Sequence, residues 1–461
     1  MKCQRAKKGS ITVFLALILS LLLSLVCTSI ESVRMASART QILNGMDIGL
    51  YSVFGQYDKK LLEEYDLFAL DGSMGGGQIK LAKVCDNLES YMKPVLKQNS
   101  QNLKLKQSGL TGYRLFTDNN GEVFYQQIVQ YMQETLGSQG VQILLNKMSD
   151  RKRKTEEADL KASQAESGGS IDRYDAEIDQ ASQKSQQAAE EAEQNQQEQN
   201  QQEQVNNPIS IIKRIMKMGI LELVLPSVRG LSTREIDRSM LVSGRKLQQG
   251  MAMPDGVTEE NSYTSNVLYQ QYLMNHLGNY ISPAEEGLAY PMEYIYAGKS
   301  SDFDNLKSVA SKLLFIREGV NFAGLMADNV KRSEAQALAT AIAAGFLVPP
   351  AAVVIETTLL LCWAFAESVL DVRELLAGGR IPLVKTSADW QISLSNLGNL
   401  MEGLDSMRRN NDHGVSYEDY LQILLLSVAK EKKVVRGMDM IENTIRNKGR
   451  AHFQMDSCIV A

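Results

Sequence analysis

The first hydrophobic signal in the chain is an uncharged stretch from Ile11 to Ile30. A helix of about 20 residues spans about 30 Å, the thickness of the hydrocarbon core of a bilayer. Four basic residues precede it at Lys2, Arg5, Lys7 and Lys8, and such residues stay on the cytoplasmic side. The pattern predicts a cytoplasmic tail over 1–9, a transmembrane helix over 10–30 and an extracytoplasmic remainder.

The polar residues inside this stretch are small hydroxyls, which can bond to carbonyls of their own helix. They are Thr12, Ser20, Ser24, Thr28 and Ser29. The stretch is long for a secretory signal, which favours an uncleaved anchor and leaves signal-peptidase cleavage as the alternative. Leu25 and Val26 precede Cys27 where a lipoprotein site needs small residues, so we expect Cys27 to pack or face lipid.

An amphipathic pattern follows the apolar stretch without an intervening proline. Ile42, Met46, Leu50, Val53 and Tyr57 are spaced by four, four, three and four residues, which is one face of a helix. The pattern predicts that the membrane helix continues as a stalk over 31–60. We expect this apolar stripe to pack on the domain above it.

Mixed patterns over 61–150 predict a small membrane-proximal α+β domain. Residues 65–70 resemble a strand, and 126–148 a helix. The turn sequence Asp118-Asn119-Asn120-Gly121 lies between the short apolar segments 113–116 and 123–125, which predicts a β-hairpin.

The composition changes abruptly over 151–206. Glutamine and glutamate dominate, and the apolar residues are too sparse to bury a face. This segment is predicted to be a flexible linker or a solvated helix, with a partner-binding coiled coil as the alternative.

Helical periodicity dominates the rest of the chain, 207–461, which we expect to fold as a mainly helical extracytoplasmic domain. The predicted helices include 306–326, 335–346, 351–376, 417–429 and 434–448. The fold class predicted for the chain is therefore α+β, mainly α. At 461 residues the chain is long enough for two or three folded units.

A second apolar segment runs from Leu338 to Leu361. Pro349 and Pro350 break it, and Glu356 interrupts it again. Because neither half reaches about 18 uncharged residues, a buried pair of core helices is favoured. A membrane hairpin remains the alternative.

Charge and composition narrow the possible functions. The net charge of -5 does not suit a general nucleic-acid-binding protein, which carries a basic face. The five cysteines show no CxxC pair, and only three histidines are present, so neither a disulfide framework nor a zinc site is predicted.

Gly298-Lys299-Ser300 lacks the earlier glycine of a phosphate-binding loop, because position 293 is Glu293, and a plain turn is expected.

Acidic residues recur on one face of the predicted helix 351–376. No histidine accompanies them, as a di-metal site in a helical bundle would require. We therefore expect Glu367 and Asp371 to form structural charge pairs with arginines such as Arg317 or Arg373. No catalytic, cofactor or metal site is predicted.

The N-terminus resembles the TadE/TadG-like proteins of Tad (Flp-type) pilus systems. The likeness rests on Lys7-Lys8-Gly9, the apolar helix from Ile11, and Glu31 with Arg34 at its outer end. In pilin-like relatives a prepilin peptidase can cut after the glycine, and a glutamate follows five residues later. Gly9 is therefore a candidate processing site, although Phe14 occupies the glutamate position, which favours an uncut anchor.

Asp71-Gly72-Ser73-Met74-Gly75 resembles the DxSxS metal motif of von Willebrand A domains, which some TadG-like proteins carry. In that motif, one carboxylate and two hydroxyls bind a divalent cation. Gly75 replaces the last hydroxyl. A glycine-rich loop is therefore favoured, and a metal site is the alternative.

The chain as a whole resembles a family of uncharacterised clostridial-type membrane proteins known as DUF5702. The likeness rests on 65–72, 298–321, 363–373 and Met438-Asp439-Met440-Ile441. This likeness supplies a pilus-locus context and no chemistry. Together with the TadE/TadG-like anchor, it favours a non-enzymatic, single-pass structural or assembly component of a Tad/Flp-type pilus or related envelope system. The implied partners are the lipid bilayer and other pilus-assembly or envelope proteins, with the oligomeric state open. The alternative is an extracytoplasmic hydrolase or sensor domain on the same anchor.

Overall fold

The computed structural model describes residues 9–97, 103–163, 208–251, 262–345, 351–400 and 414–460. The chain is mainly helical, with few strands, as the sequence predicts. It divides into two compact units. Unit 1 comprises Met1–Asn119, Leu247–Val257 and His452–Ala461, and unit 2 comprises Asn120–Lys246 and Thr258–Ala451. The predicted helical domain over 207–461 therefore differs from unit 2, since two of its segments belong to unit 1.

Helix α1, Gly9–Phe54, confirms the long apolar helix and its continuation beyond the predicted membrane segment. Its apolar stretch from Ile11 is wholly exposed in the folded chain and is long and apolar enough to cross a membrane. As predicted, hydroxyls return to carbonyls of the same helix. Ser20 donates to Leu17 at 2.9 Å, and Ser29 donates to Leu25 at 2.8 Å. At a rise of about 1.5 Å per residue, α1 continues for about 36 Å beyond Ile30.

The outer part of α1 packs against α3, Leu81–Lys97, through a face next to the predicted one. The buried positions are Gln41, Gly45, Gly49 and Val53, spaced by four residues. The predicted stripe is only partly right. Val53 is buried and Leu50 packs on the same core, but Ile42 and Met46 are 44% and 42% exposed. The physical reason is close approach of the two helices. At Gly49 an added Cβ would lie 2.8 Å from the Met92 side chain, so the backbones meet where side chains are absent.

The other elements of unit 1 are α2, Lys59–Tyr65, and a small antiparallel sheet in the order β1-β3-β2. Strands β1, Leu70–Asp71, and β2, Arg114–Leu115, flank β3, Cys458–Val460. Leu70 lies opposite Ile459, and Arg114 lies opposite Val460. The end of the chain therefore completes the sheet of the N-terminal unit.

Two local predictions in this region are wrong. Residues 65–70 hold the end of α2 and only the first residue of β1. The predicted hairpin does not form, because β2 pairs with β3 and α4, Asp118–Ser163, begins at the turn sequence. Asn119, Asn120 and Gly121 have positive φ angles of 51°, 58° and 86°. The turn signal therefore marks a left-handed start of a helix, which also contains the predicted helix over 126–148.

Helix α4 covers the first part of the segment predicted as a linker or solvated helix, up to Ser163. The rest of that segment, 164–206, lies outside the described residues. The remaining helices belong to unit 2. They are α5 Pro208–Met216, α6 Ile220–Val224, α7 Tyr263–His276, α8 Pro291–Ala297, α9 Asp302–Ala327, α10 Asn329–Gly345, α11 Ala352–Leu376, α12 Tyr417–Leu426 and α13 Lys430–Asn447.

Helix α11 is the central helix of unit 2 and packs against both α9 and α10. It is long and apolar enough to cross a membrane, but 83% of its most apolar 18-residue segment is buried inside the protein. This burial favours the predicted core helix over a membrane hairpin. Pro349 and Pro350, between α10 and α11, lie outside the described residues.

Candidate functional site: a buried charge cluster

Four charged side chains meet inside unit 2, where α9 crosses α11. Arg317 comes from α9, Glu367 and Asp371 from α11, and Lys385 from the loop that follows α11. The side chains of the first three are fully buried, and that of Lys385 is 3% exposed. We call these four residues the charge cluster. Glu367 and Asp371 are four residues apart, so one helical face presents both carboxylates.

Arg317 and Asp371 form a close ion pair. The Nε and one terminal nitrogen of Arg317 each lie 2.9 Å from Oδ2 of Asp371. Asn321 donates its amide to the same oxygen at 2.9 Å and to the Ser368 hydroxyl at 2.8 Å. This side of the Asp371 carboxylate is therefore held by three donor groups from α9.

Lys385 is the cation beside Glu367, and the sequence did not reveal it. Its ammonium contacts Glu367 and lies 2.6 Å from Oδ1 of Asp371. The Lys385 nitrogen also lies 5.5 Å from the centre of the Trp390 ring. Lys385 lies in a loop without periodicity, so only the fold brings it to the carboxylates.

The same cluster pins the backbone of the 381–392 loop. Arg317 donates to the carbonyls of Pro382 and Leu383 at 3.2 and 2.8 Å. Glu367 accepts from the backbone amides of Gln391 and Ile392, both at 3.0 Å. These bonds satisfy backbone carbonyls and amides that, in a loop, are not paired within a strand or helix. The cluster therefore fixes this loop across α9 and α11.

Electrostatics distinguish the two carboxyl groups. Burial raises the pKa of Glu367, and the charge of Lys385 only partly opposes this. Burial also acts to raise the pKa of Asp371, but Arg317 and Lys385 outweigh it and hold that pKa below its ordinary value. With two cations and two carboxylates the cluster is neutral overall. A proton taken up here therefore resides on Glu367.

Arg373, the other arginine considered as a partner, points elsewhere. It donates to the carbonyl of Leu223 in α6 at 3.0 Å. Gly9, the candidate processing position, is the first residue of α1.

The Asp71 carboxylate accepts hydrogen bonds from its own loop. Oδ1 accepts from the Ser73 amide at 2.9 Å and the Ser73 hydroxyl at 2.6 Å, and Oδ2 accepts from the Gly75 amide at 3.0 Å. Oδ1 also accepts from the Ser457 hydroxyl at 3.5 Å. These bonds support the glycine-rich-loop interpretation. Gly298 has a positive φ of 69° and caps the end of α8, so Gly298-Lys299-Ser300 forms the expected turn.

Another buried acid of unit 2 lies outside the charge cluster, on α8. Oε1 of Glu293 accepts from the Tyr417 hydroxyl at 2.6 Å and the Tyr280 amide at 2.8 Å. Its other oxygen is buried and has no hydrogen-bond partner among the described residues. Burial raises the pKa of Glu293 to about 7, against the effects of these two donors. The sequence analysis considered Glu293 only as the position where a phosphate-binding loop would need a glycine, and no pattern there indicates a buried carboxyl.

The charge cluster has the chemistry of a closed structural core. Its charged atoms are shielded from solvent, and nothing in it resembles a metal site. Within the described part of the chain, no three His, Cys, Asp or Glu side chains are grouped so as to hold a metal ion. Within it, the Lys385 ammonium contacts both carboxyl groups.

Comparison with known proteins gives one match. A family model described as "Family of unknown function (DUF5702)" matches residues 198–461. No curated protein and no solved structure matches the chain. Because the family match covers more than half of the 461 residues and contains the charge cluster, the chain belongs to the DUF5702 family of unknown function.

Proposed function

We propose that this protein is a membrane-anchored, extracytoplasmic structural or assembly component of a Tad/Flp-type pilus or related envelope system. It acts through protein–protein contacts and performs no catalysis on a substrate. The observation that carries the proposal is α1, which is compatible with a single-pass anchor and continues well beyond the length that a bilayer covers. The resemblance of its N-terminus to TadE/TadG-like anchors supplies the pilus context.

The outer part of α1 offers a surface for assembly. Met35, Ile42, Leu43 and Met46 lie beyond the predicted membrane segment and are 60%, 44%, 62% and 42% exposed. We call these four side chains the stalk patch. Clustered exposed apolar side chains favour contact with a partner. A partner that is itself anchored by a single helix can follow α1 out of the membrane and cover this patch.

The buried polar groups of unit 2 also support a structural role. A catalytic acid or base must lie within hydrogen-bond reach of a substrate. Glu367, Asp371 and Glu293 are instead fully buried, and the hydrogen bonds they accept come from side chains and backbone of the same unit.

The proposal is tested by crosslinking in membranes followed by purification of the tagged full-length chain. We expect pilin subunits or pilus-platform proteins encoded at the same locus to copurify. The variant Leu43→Glu/Met46→Glu should lose them, because it places charges in the stalk patch. The control Asn44→Glu carries a charge at an exposed polar position of the same helix and should retain them. If the wild-type chain captures no pilus-assembly protein, the pilus assignment is wrong.

Topology is tested by adding protease to cells stripped of their wall. Digestion should remove the chain beyond about Glu31 and leave a short anchored fragment, since the basic tail is predicted to be cytoplasmic. A protected C-terminal tag would contradict the single-pass arrangement and would favour a second span within 338–361.

A further inference from the structure

The Lys385 amine lies against two carboxyl groups in a site shielded from water. Its nitrogen is 2.6 Å from Oδ1 of Asp371 and also contacts Glu367. Because a carbon–oxygen bond measures about 1.23 Å, the Asp371 carboxyl carbon lies within about 3.8 Å of this nitrogen. Reacting atoms held about 3–3.5 Å apart are close to a productive geometry. The fold therefore holds an amine beside an acyl carbon.

We propose that Lys385 and Asp371 become joined by an intramolecular amide bond, formed by the folded protein itself. The covalent bond would link the 381–392 loop to the C-terminal part of α11. This inference does not depend on the proposed function, because it concerns a reaction between side chains of the same chain.

The reaction forms one C–N bond and releases one water molecule. The Lys385 ammonium first gives a proton to the Glu367 carboxylate and becomes a neutral amine. Glu367 passes this proton to Oδ1 of Asp371, which turns the carboxylate into a carboxylic acid that an amine can attack. The neutral amine then attacks the carboxyl carbon, and Glu367 relays a second proton from the attacking nitrogen to Oδ1. Oδ1 then leaves as water, Oδ2 remains as the amide carbonyl oxygen, and Glu367 is again a carboxylate.

The surroundings of the two Asp371 oxygens suit their different roles, Oδ1 as the leaving oxygen and Oδ2 as the retained one. Oδ2 accepts from two nitrogens of Arg317 and from the amide of Asn321, all at 2.9 Å. Donors placed in this way stabilise negative charge that develops on an oxygen during acyl transfer. In the described part of the chain, Oδ1 contacts the Lys385 ammonium and has no other donor. It can therefore leave without breaking a hydrogen bond to the protein.

Glu367 has the properties required of the proton carrier. It contacts the amine directly and is fully buried, and burial favours its protonated form. Two backbone amides of the 381–392 loop hold its carboxylate in place. The centre of the Trp390 ring lies 5.5 Å from the Lys385 nitrogen, so an apolar ring as well as the two carboxyl groups lies near it.

Mass spectrometry of the full-length chain, purified from membranes in detergent, tests the proposal. The wild-type chain should be lighter than its sequence by the mass of one water. Tryptic digestion should give a branched peptide in which the Lys385 side chain is joined to Asp371, with no cleavage after Lys385. Unmodified Lys385 and Asp371 peptides from a folded wild-type chain would overturn the proposal. A branched peptide joined at Glu367 would overturn it as well.

Three variants provide controls on the chemistry. Lys385→Arg keeps the positive charge but lacks a reactive amine, so its mass should equal that of its sequence. Asp371→Asn should lose ammonia in place of water, because the leaving group becomes an amide nitrogen. Glu367→Gln cannot carry the proton and should remain unlinked. An Asp371→Asn chain that loses water would show that the missing mass arises elsewhere and would contradict the assignment.

Discussion

The buried acid Glu293 should make the stability of unit 2 depend on pH in a direction opposite to that of an ordinary paired carboxylate. Burial raises its pKa from 4.5 to about 7, and the charge of Asp302 adds a smaller effect in the same direction. The Tyr417 hydroxyl and the Tyr280 amide oppose the rise but do not cancel it. The folded protein therefore binds this proton more tightly than the unfolded chain does.

The sign and size of the effect follow from this difference. The stabilisation by the bound proton is complete below pH 4.5 and is lost as the pH rises through about 7. One pKa unit corresponds to about 1.36 kcal/mol, so the full loss is about 3 kcal/mol. Glu293→Gln keeps an oxygen that can accept from Tyr417 and Tyr280 but cannot ionise. The difference in unfolding free energy between variant and wild type should therefore shift in favour of the variant by about 2–3 kcal/mol between pH 5 and pH 8.

Tryptophan fluorescence during denaturant unfolding is a suitable assay. The chain has two tryptophans, Trp363 and Trp390, and both belong to unit 2, as Glu293 does. Wild type and variant are both measured at pH 5 and pH 8. Any effect of the glutamine side chain on the unfolding free energy that does not depend on pH then cancels. Glu334→Gln, at an exposed position of α10, is the matched control and should show no such shift.

An unchanged pH dependence in Glu293→Gln would refute this reasoning. It would mean that the folded protein either hydrates the Glu293 carboxylate or supplies it with a cation. If Glu293→Gln were destabilised relative to wild type more at pH 8 than at pH 5, the effect would have the wrong sign. That result would refute the reasoning more strongly.

Three further outcomes are expected. Arg317→Met should cost unit 2 about 3–5 kcal/mol, with or without a metal chelator, because it leaves the charge cluster with one excess negative charge. Adding Glu367→Gln should restore part of that stability, whereas a further additive loss in tryptophan-monitored unfolding would contradict charge balance. Gly49→Leu should separate α1 from α3 and make α3 more sensitive to protease, since overpacking costs about 1–3 kcal/mol; resistance equal to wild type would argue against that contact. Deleting 183–204 should barely change the melting temperature, because loop closure changes by only about 0.6 kcal/mol per doubling of length.

The sequence predicted α1 and the helices of unit 2 because their signals are local. An uncharged stretch marks the membrane helix, and apolar spacing marks the others. The packed face of the stalk could not be found in this way. Glycines at positions 45 and 49 carry no hydrophobic signal, yet they allow α3 to approach closely. The stripe of larger residues gave the stronger pattern, but only its outer positions Leu50 and Val53 pack on the core, while Ile42 and Met46 are exposed.

The sheet of unit 1 could not be predicted from local sequence patterns, for a different reason. Asp71 pairs with Cys458, near the opposite end of the chain, and each strand has only two or three residues. Such short segments show no alternation that could identify them. The sequence Asp118-Asn119-Asn120-Gly121 was recognised as a turn, but the residues of a turn do not determine whether a strand or a helix follows it.

The charge cluster was partly predictable. Glu367 and Asp371 share a helical face among apolar residues, which indicates that each needs a cation. Arg317 was a candidate because it lies on a predicted helix. Lys385 was not, because its place beside the carboxylates depends on the path of the 381–392 loop, and no periodic pattern encodes that path.

The cost of burying four charges indicates what the cluster contributes to the protein. An apolar core of the same volume is often as stable as a buried ion pair or more stable, so stability alone does not account for it. The cluster instead fixes the position of the 381–392 loop. Its charged groups bond to one another and to particular backbone groups of that loop. That loop has little secondary structure of its own, with one short 3-10 turn at Ser387–Asp389. Its exposed side, which includes Val384, is therefore held in one position by charges beneath it. A fixed loop of this kind suits a protein that presents a surface to partners, and a covalent bond from Lys385 would make the arrangement permanent.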